Sequence, residues 1–118
     1  MPTTPATLLI VDDDEGIRKL LEIMLEDQGY QTLSAPSGEM ALAMVARQPP
    51  DLILLDAMMP GMDGYQVARH IKANVATANI PIIMLSGLSE QSARLSGLEA
   101  GAEEVLSKPV VNDCLLYT

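Results

Sequence analysis

The residues of this chain that could do chemistry are carboxylates placed where apolar segments end. Asp56 closes the apolar segment 51–56, and Asp12 and Asp13 directly follow another apolar segment, 7–11. Short runs of Leu, Ile and Val bounded by turn residues are typical of strands buried on both faces of a parallel sheet. Carboxylates at the carboxyl ends of such strands lie at the rim where open α/β folds bind ligands. We therefore expect the three carboxylates to share one crevice.

Each candidate residue has an ordinary structural explanation when it is taken alone. Acidic residues before a helix, such as Asp14, are commonly N-caps, and we expect Asp14 to be only that. Met58 is typical of core or loop packing. A serine at a strand end, such as Ser86, commonly forms a turn. A lysine such as Lys108 is commonly exposed to solvent.

Taken together, the same residues indicate phosphoryl chemistry. Like charges at close range are costly unless a cation joins them, and hard oxygen ligands suit Mg²⁺, for which Mn²⁺ could substitute. Ser86 ends the predicted strand 80–86, and Lys108 follows the predicted strand 104–107 with a positive charge on a long stem. A carboxylate nucleophile, a divalent metal, a hydroxyl and a lysine are the parts needed to place a phosphoryl group on an aspartate.

Strand-like and helix-like segments alternate along the whole chain. The predicted strands are 7–11, 31–35, 51–56, 80–86 and 104–107, and the predicted helices are 14–28, 37–47, 64–73, 89–100 and a short last one, 112–118. In the first two helices the 3/4 spacing places Leu20 and Met40 among the inward-facing residues. Five β-α units predict a flavodoxin-like α/β fold, with a five-stranded parallel sheet of order 2-1-3-4-5 and helices on both faces. Residues 1–6 are predicted to be a flexible N-terminus and 7–118 one domain.

Composition narrows the classes of function. The net charge of −9, from 16 acidic and 7 basic residues, disfavours direct binding to nucleic acid, since phosphate contacts need Lys and Arg. No apolar run approaches the ~20 residues of a membrane span, so no membrane partner is expected. Cys114 is the only cysteine and no signal peptide is evident, which favours a cytoplasmic location.

Four motifs in this order resemble the receiver domain of two-component response regulators. They are LLIVDDD at 8–14, DAMMPGMDG at 56–64, IIMLSG at 82–87, and GA at 101–102 followed by KP at 108–109. Any one of them is weak, but all four at these intervals are specific. The resemblance covers nearly the whole chain.

The resemblance implies a role for each site residue. Asp56 would accept phosphate from the phosphohistidine of a sensor histidine kinase or a phosphotransfer protein. Asp12, Asp13 and the backbone carbonyl of Met58 would hold Mg²⁺ together with Asp56, directly or through water. The domain would assist its own phosphorylation and dephosphorylation rather than act as an enzyme on other molecules.

The resemblance also implies how the signal leaves the domain. Lys108 would bind the phosphoryl oxygens, and Ser86 would be the switch hydroxyl that turns towards them. The output partner would be a further domain or protein, with a homodimer through the fourth helix, fifth strand and fifth helix as a further expectation. The chain departs from the family at Val105, where Tyr or Phe is usual, so it has no ring there to rotate. Ten residues follow Lys108, which fits either a chain cut from a longer protein or a naturally short end.

Two alternatives remain at this point. A haloacid-dehalogenase-type phosphohydrolase also uses an Asp after its first strand, but Gly16 stands where its pattern needs Thr or Val, and 118 residues leave no room for a cap domain. A pseudo-receiver, a docking module that is never phosphorylated, is disfavoured by the complete set of acidic, hydroxyl and lysine residues.

Overall fold

The fold is a five-stranded parallel sheet. A computed structural model describes residues 5–87 and 91–107, with only the backbone at 91–93. The strands are β1 (Thr7–Val11), β2 (Gln31–Ala35), β3 (Leu52–Asp56), β4 (Ile82–Ser86) and β5 (Glu104–Ser107). Their spatial order is β2-β1-β3-β4-β5, and every neighbouring pair is parallel. The predicted strand order is confirmed.

Four helices connect the strands in the part of the chain that is described. They are α1 (Glu15–Asp27), α2 (Gly38–Arg47), α3 (Gly64–Ala73) and α4 (Gln91–Glu99). The predicted capping residues lie one position outside α1 and α2: Asp14 and Ser37 accept hydrogen bonds from the first turns. Because these side chains satisfy otherwise unpaired N–H groups, they fix where each helix begins.

Alternation along the strands divides the core between the two faces of the sheet. One face carries Leu9, Ile53 and Met84 and is covered by buried residues of α2 and α3. The other face carries Ile10 and Leu85, against which Leu21 of α1 packs. Helices therefore lie on both faces, as expected of a doubly wound sheet.

Some details differ from the sequence predictions. Strands β3 and β4 begin at Leu52 and Ile82, one and two residues later than predicted. The side chains of Leu20 and Met40, predicted to face inward, are 41% and 48% exposed. Both lie at the edge of an amphipathic stripe, where the 3.6-residue period does not separate a core position from a boundary position. The predicted last helix, 112–118, and residues 1–4 lie outside the described part of the chain.

Two ion pairs lie at the amino-terminal side of β5. The Nζ atom of Lys72 lies 2.6 Å from Oε1 of Glu103, and Nη2 of Arg94 lies 3.4 Å from Oε1 of Glu104. The side chain of Lys72 also donates to the carbonyls of Ala78 and Ile80, at 3.1 and 2.7 Å. Lys72 thus ties the end of α3 to the loop that leads into β4.

None of the helices described is long and apolar enough to cross a membrane.

Candidate functional site

Three carboxylates meet at the carboxyl end of the sheet. Val11 of β1 pairs with Leu55 of β3, so Asp12 and Asp56 each follow directly after a paired residue. Asp12 and Asp56 are buried, Asp13 is exposed, and one carboxylate oxygen from each lies within 4.8 Å of the others. The two strand ends therefore bring these residues into one crevice, as the sequence analysis expects.

The turn between β1 and α1 is held by its own carboxylates. The Asp14 N–H donates to Oδ1 of Asp12 at 2.9 Å. Oδ1 of Asp14 accepts from the N–H groups of Gly16 and Ile17, at 2.8 and 3.2 Å. Asp14 is therefore the N-cap, as predicted, and it does not belong to the three-carboxylate group.

The loop after β3 closes back on Asp56. The Met58 N–H donates to Oδ1 of Asp56 at 3.4 Å, and the Gly64 N–H donates to the carbonyl of Ala57 at 2.9 Å. A Cβ on Gly64 would overlap the carbonyl oxygen of Asp56 and lie 2.8 Å from the Cα of Ala57. Helix α3 therefore begins in contact with the backbone that carries Asp56.

The end of the loop is fixed by a reciprocal pair. Oδ1 of Asp63 accepts from the Gln66 N–H, and the Asp63 N–H donates to Oε1 of Gln66, both at 3.0 Å. This capping box sets the first turn of α3 and so the position of Gly64.

The carboxylates line an open crevice of about 470 Å³. Its walls are formed by carboxylates, by apolar side chains and by glycine: Asp12, Asp13, Asp14, Ile17, Asp56, Met58 and Gly87. The side chain of Met58 is 61% exposed, so it stands at the mouth instead of packing in the core. Gly87 has open space where a Cβ would be, which leaves room on that side for a donor molecule.

Ser86 lies at the same edge of the sheet. It ends β4, is buried, and follows Leu85, which pairs with Asp56. It is also paired in register with Ser107, the last residue of β5. Lys108, the next residue, lies outside the described part of the chain, so its predicted place beside the carboxylates stays a prediction.

The carboxylate group fits a hard divalent cation. Three acidic oxygens within 4.8 Å, two of them from buried side chains, are the kind of donor set that Mg²⁺ and Mn²⁺ prefer. Mg²⁺ commonly takes only one or two protein carboxylates and keeps several waters. An open crevice leaves space for those waters and for phosphate oxygens.

A comparison with known protein families identifies the family of this chain. The model of the response regulator receiver domain matches residues 8–117. The chain belongs to this family. It is a receiver domain of two-component response regulators.

Individual relatives support the assignment. The receiver domain is 45% identical over 112 residues to the response regulator PleD of Caulobacter vibrioides, covering 95% of this chain and 24% of PleD. It is 44% identical to the phosphate regulon transcriptional regulatory protein PhoB of Pseudomonas aeruginosa, covering 87% of this chain and 45% of PhoB. The chain thus spans less than half the length of these two relatives.

The fold is shared with a solved chemotaxis protein. The structure of CheY4 from Vibrio cholerae aligns with a TM-score of 0.85 at 31% identity, over 90% of this chain and 88% of that one. Since the family model spans residues 8–117, the haloacid-dehalogenase alternative has no support.

Two residues of the receiver domain's site were missed by the sequence reasoning. Arg18 donates from Nη1 to the backbone carbonyl of Asp12 at 2.7 Å. Gly64 was noted only as part of a motif, although it is the point at which α3 contacts the Asp56 backbone. A glycine at the first position of a helix was a usable signal for Gly64, whereas an arginine in a helix is too common to single out Arg18.

Proposed function

We propose that this receiver domain accepts a phosphoryl group on Asp56 and thereby switches a protein-interaction face. The observation that carries the proposal is the meeting of Asp56 with Asp12 and Asp13 within 4.8 Å at the sheet rim. A buried carboxylate that faces an open crevice can reach a donor, while its two acidic neighbours supply the means to hold a cation.

The metal site would consist of Asp12, Asp13, Asp56 and the backbone carbonyl of Met58, directly or through water. Mg²⁺ bound there, or Mn²⁺ in its place, would supply charge neutralisation between the carboxylates and the incoming phosphoryl oxygens. The N–H of Met58 donates to Asp56, which supports the proposal by bringing the backbone of Met58 next to this carboxylate.

The reaction is a transfer between two nucleophiles. An oxygen of Asp56 attacks the phosphorus of a phosphohistidine, the P–O bond forms, and the P–N bond breaks. The electron pair of the broken bond stays on the imidazole nitrogen. Later, the oxygen of a water bonds to the phosphorus and the P–O bond to Asp56 breaks. Inorganic phosphate leaves, the proton of the water passes to the phosphate or to solvent, and the Asp56 carboxylate is restored.

Ser86 and Lys108 would act on the phosphoryl group once it is in place. The hydroxyl of Ser86 can donate a hydrogen bond to a phosphoryl oxygen, and the ammonium of Lys108 can neutralise one. Ser86 ends β4 at the rim that carries Asp56, and it is in register with Ser107, the residue before Lys108. The domain would in this way assist its own phosphorylation and dephosphorylation.

The partners follow from this chemistry. The donor would be a sensor histidine kinase or a phosphotransfer protein, and the recipient of the signal an output domain or protein. A homodimer through α4, β5 and the predicted last helix is one form the output could take. The single cysteine fits a cytoplasmic location. Residues 7–118 would form one receiver domain.

Intact-mass measurement tests the proposal. The protein is incubated with phosphoramidate or acetyl phosphate and Mg²⁺, and the gain of one phosphoryl group is expected. Asp56→Asn should gain none, whereas Asp27→Asn, the same change at an exposed helix end, should match the parent. A parent that gains no phosphoryl group would support the pseudo-receiver alternative, and a phosphorylated Asp56→Asn would show that another residue is the acceptor.

A further inference from the structure

The turn that carries Asp12 and Asp13 is fastened by a cationic side chain. Arg18, on the first turns of α1, donates from Nη1 to the carbonyl oxygen of Asp12 at 2.7 Å. The bond is partly buried, and it joins two residues that are six positions apart in the sequence. A short, charge-assisted hydrogen bond of this kind is roughly twice as strong as a neutral one.

Asp12 is thus held at both its backbone and its side chain. Its Oδ1 accepts from the Asp14 N–H at 2.9 Å, while its carbonyl accepts from Arg18. The Arg18 N–H in turn donates to the carbonyl of Asp14 at 3.1 Å. The peptides on both sides of Asp13 are therefore held, one by Arg18 at the Asp12 carbonyl and the other by the Asp12 side chain at the Asp14 N–H. Together they set the direction in which the Asp13 side chain leaves the backbone.

We propose that Arg18 is a positioning residue for the metal site: it fixes the Asp12–Asp13 peptide so that the exposed Asp13 carboxylate stands over the crevice before a cation binds. The inference rests on the proposed metal site at Asp12, Asp13 and Asp56. Arg18 itself touches neither metal nor phosphoryl group in this role. It acts through Asp12.

Two effects of Arg18 oppose each other, and salt separates them. Its positive charge repels a divalent cation, so its removal tends to strengthen binding. Its hydrogen bond preorganises the turn, so its removal tends to weaken binding. Exposed charges farther apart than the Debye length are screened, and this length falls from ~8 Å at physiological salt to ~3 Å at 1 M. The positioning effect does not fall with it.

The experiment compares Arg18→Met with Lys19→Met. Lys19 is the next residue, exposed, and appears in none of the hydrogen bonds described for this turn, so its variant removes the same charge without the contact. The dissociation constant for Mg²⁺ is measured by calorimetric titration in high salt. Arg18→Met is expected to raise it about tenfold, at the lower end of the effect of removing an outer-shell partner of metal ligands. Lys19→Met is expected to leave it unchanged.

Two further readouts distinguish positioning from a general loss of structure. In metal-free buffer, amide NMR shifts of Asp13 and Asp14 should move in Arg18→Met and stay in Lys19→Met, with the β2 and β5 shifts unchanged. Arg18→Lys, which keeps a donor on a long stem, should recover part of the affinity. An Arg18→Met protein that binds Mg²⁺ as the parent does, with parental Asp13 and Asp14 shifts, overturns the inference.

Failure of the Arg18 inference can be distinguished from failure of the proposed metal site. If the parent protein binds no Mg²⁺, or if Asp13→Asn binds it as tightly as the parent, the metal site itself is misplaced. If the parent binds and Asp13→Asn does not, the site stands, and Arg18→Met then decides the inference alone.

Discussion

Gly64 leaves no room for a side chain beside the backbone carbonyl of Asp56. The nearest atoms to a Cβ at this position belong to the backbone of Asp56 and Ala57, which cannot rotate away as a flexible side chain can. The start of α3 and the end of β3 are thereby locked together, with the Gly64 N–H donating to the Ala57 carbonyl at 2.9 Å. The position of the proposed phosphoacceptor depends on this contact.

Gly64→Ala is expected to displace the Asp56 loop. The added methyl group should destabilise the fold by about 2 kcal/mol, within the range for overpacking a dense site, and should slow phosphorylation by phosphoramidate. Gly87→Ala is the matched control for stability, because a Cβ there meets nothing within 4 Å. Urea unfolding measures both. Equal stability of the two variants would show that the Asp56 loop yields easily.

Mg²⁺ should stabilise the parent protein and fail to stabilise Asp13→Asn. Binding to the folded state alone adds about 2.7 kcal/mol at a metal concentration one hundred times the dissociation constant. In EDTA the order should reverse, with Asp13→Asn at least as stable as the parent, because one of three crowded charges is gone. Thermal unfolding of both proteins in EDTA and in Mg²⁺ tests whether their order of stability changes in this way. A variant that keeps the full Mg²⁺-dependent rise would remove Asp13 from the site.

The two ion pairs near β5 should differ in what they contribute. The side chain of Lys72 is 19% exposed and makes bonds to two backbone carbonyls as well as to Glu103, whereas the side chain of Arg94 is 60% exposed and its pair is 3.4 Å long. Lys72→Met is therefore expected to cost about 1–3 kcal/mol, the penalty for leaving partly buried acceptors unpaired. Arg94→Met should cost less than about 1 kcal/mol, as surface pairs do.

Salt distinguishes the two cases further. The cost of Lys72→Met should persist in high salt, since the carbonyl bonds are partly shielded from solvent, while any cost of Arg94→Met should vanish. Urea unfolding at low and high salt gives both values. Equal costs at both sites would mean that the carbonyl contacts of Lys72 contribute nothing.

The sheet order and the convergence of the three carboxylates could be predicted from sequence because both follow from local signals. Apolar runs of strand length mark β1 and β3, and parallel connection then places the residues after them at one edge. Asp14 was predictable as an N-cap because an Asp directly before an amphipathic helical segment commonly caps that helix.

What could not be predicted depends on contacts between distant residues or on small rotations. Leu20 and Met40 lie at the border of their helices' apolar faces, where a rotation of one residue decides burial. The bond from Arg18 to the Asp12 carbonyl depends on how the β1–α1 turn folds, which residue types do not specify. The sequence likewise shows that Val105 departs from the family pattern, but it does not show which residues Val105 contacts.

Val105 packs against a glycine in α4. A Cβ on Gly97 would lie 2.6 Å from Cγ2 of Val105 and 3.3 Å from Sδ of Met84, so the helix lies close to the sheet at this point. Val105 is 8% exposed. At the position where the family resemblance leads us to expect an aromatic ring, this chain has Val105 in contact with Gly97.

Gly97→Ala and Val105→Ala should therefore compensate each other. Val105→Ala opens a cavity and Gly97→Ala overpacks the contact, so each is expected to destabilise the fold. In the double variant the methyl group added at position 97 occupies space vacated by the Val105 side chain, and the coupling should be about 1 kcal/mol in favour of the pair. A double-mutant cycle by urea unfolding measures it, and strictly additive effects would contradict the packing described.

The phosphorylated form is expected to be long-lived because Met58 cannot orient water. Hydrolysis needs a water in line with the phosphorus, opposite the Asp56 oxygen, and Met58 lines the crevice with a side chain that is 61% exposed. A thioether is only a weak acceptor and no donor. Leu88, the other apolar residue that we expect near this path, lies outside the described part of the chain.

Met58→Asn should shorten the lifetime of the phosphoprotein, and Met58→Leu should not. One hydrogen bond of about 1 kcal/mol that forms with the attacking water would raise the rate about fivefold. Met58→Leu keeps an apolar wall of similar size, and both variants keep the backbone carbonyl proposed for the metal. The decay of phosphoprotein is followed by intact mass after the donor is removed, at saturating Mg²⁺. If both variants give the same decay as the parent, access and orientation of water are set elsewhere in the crevice.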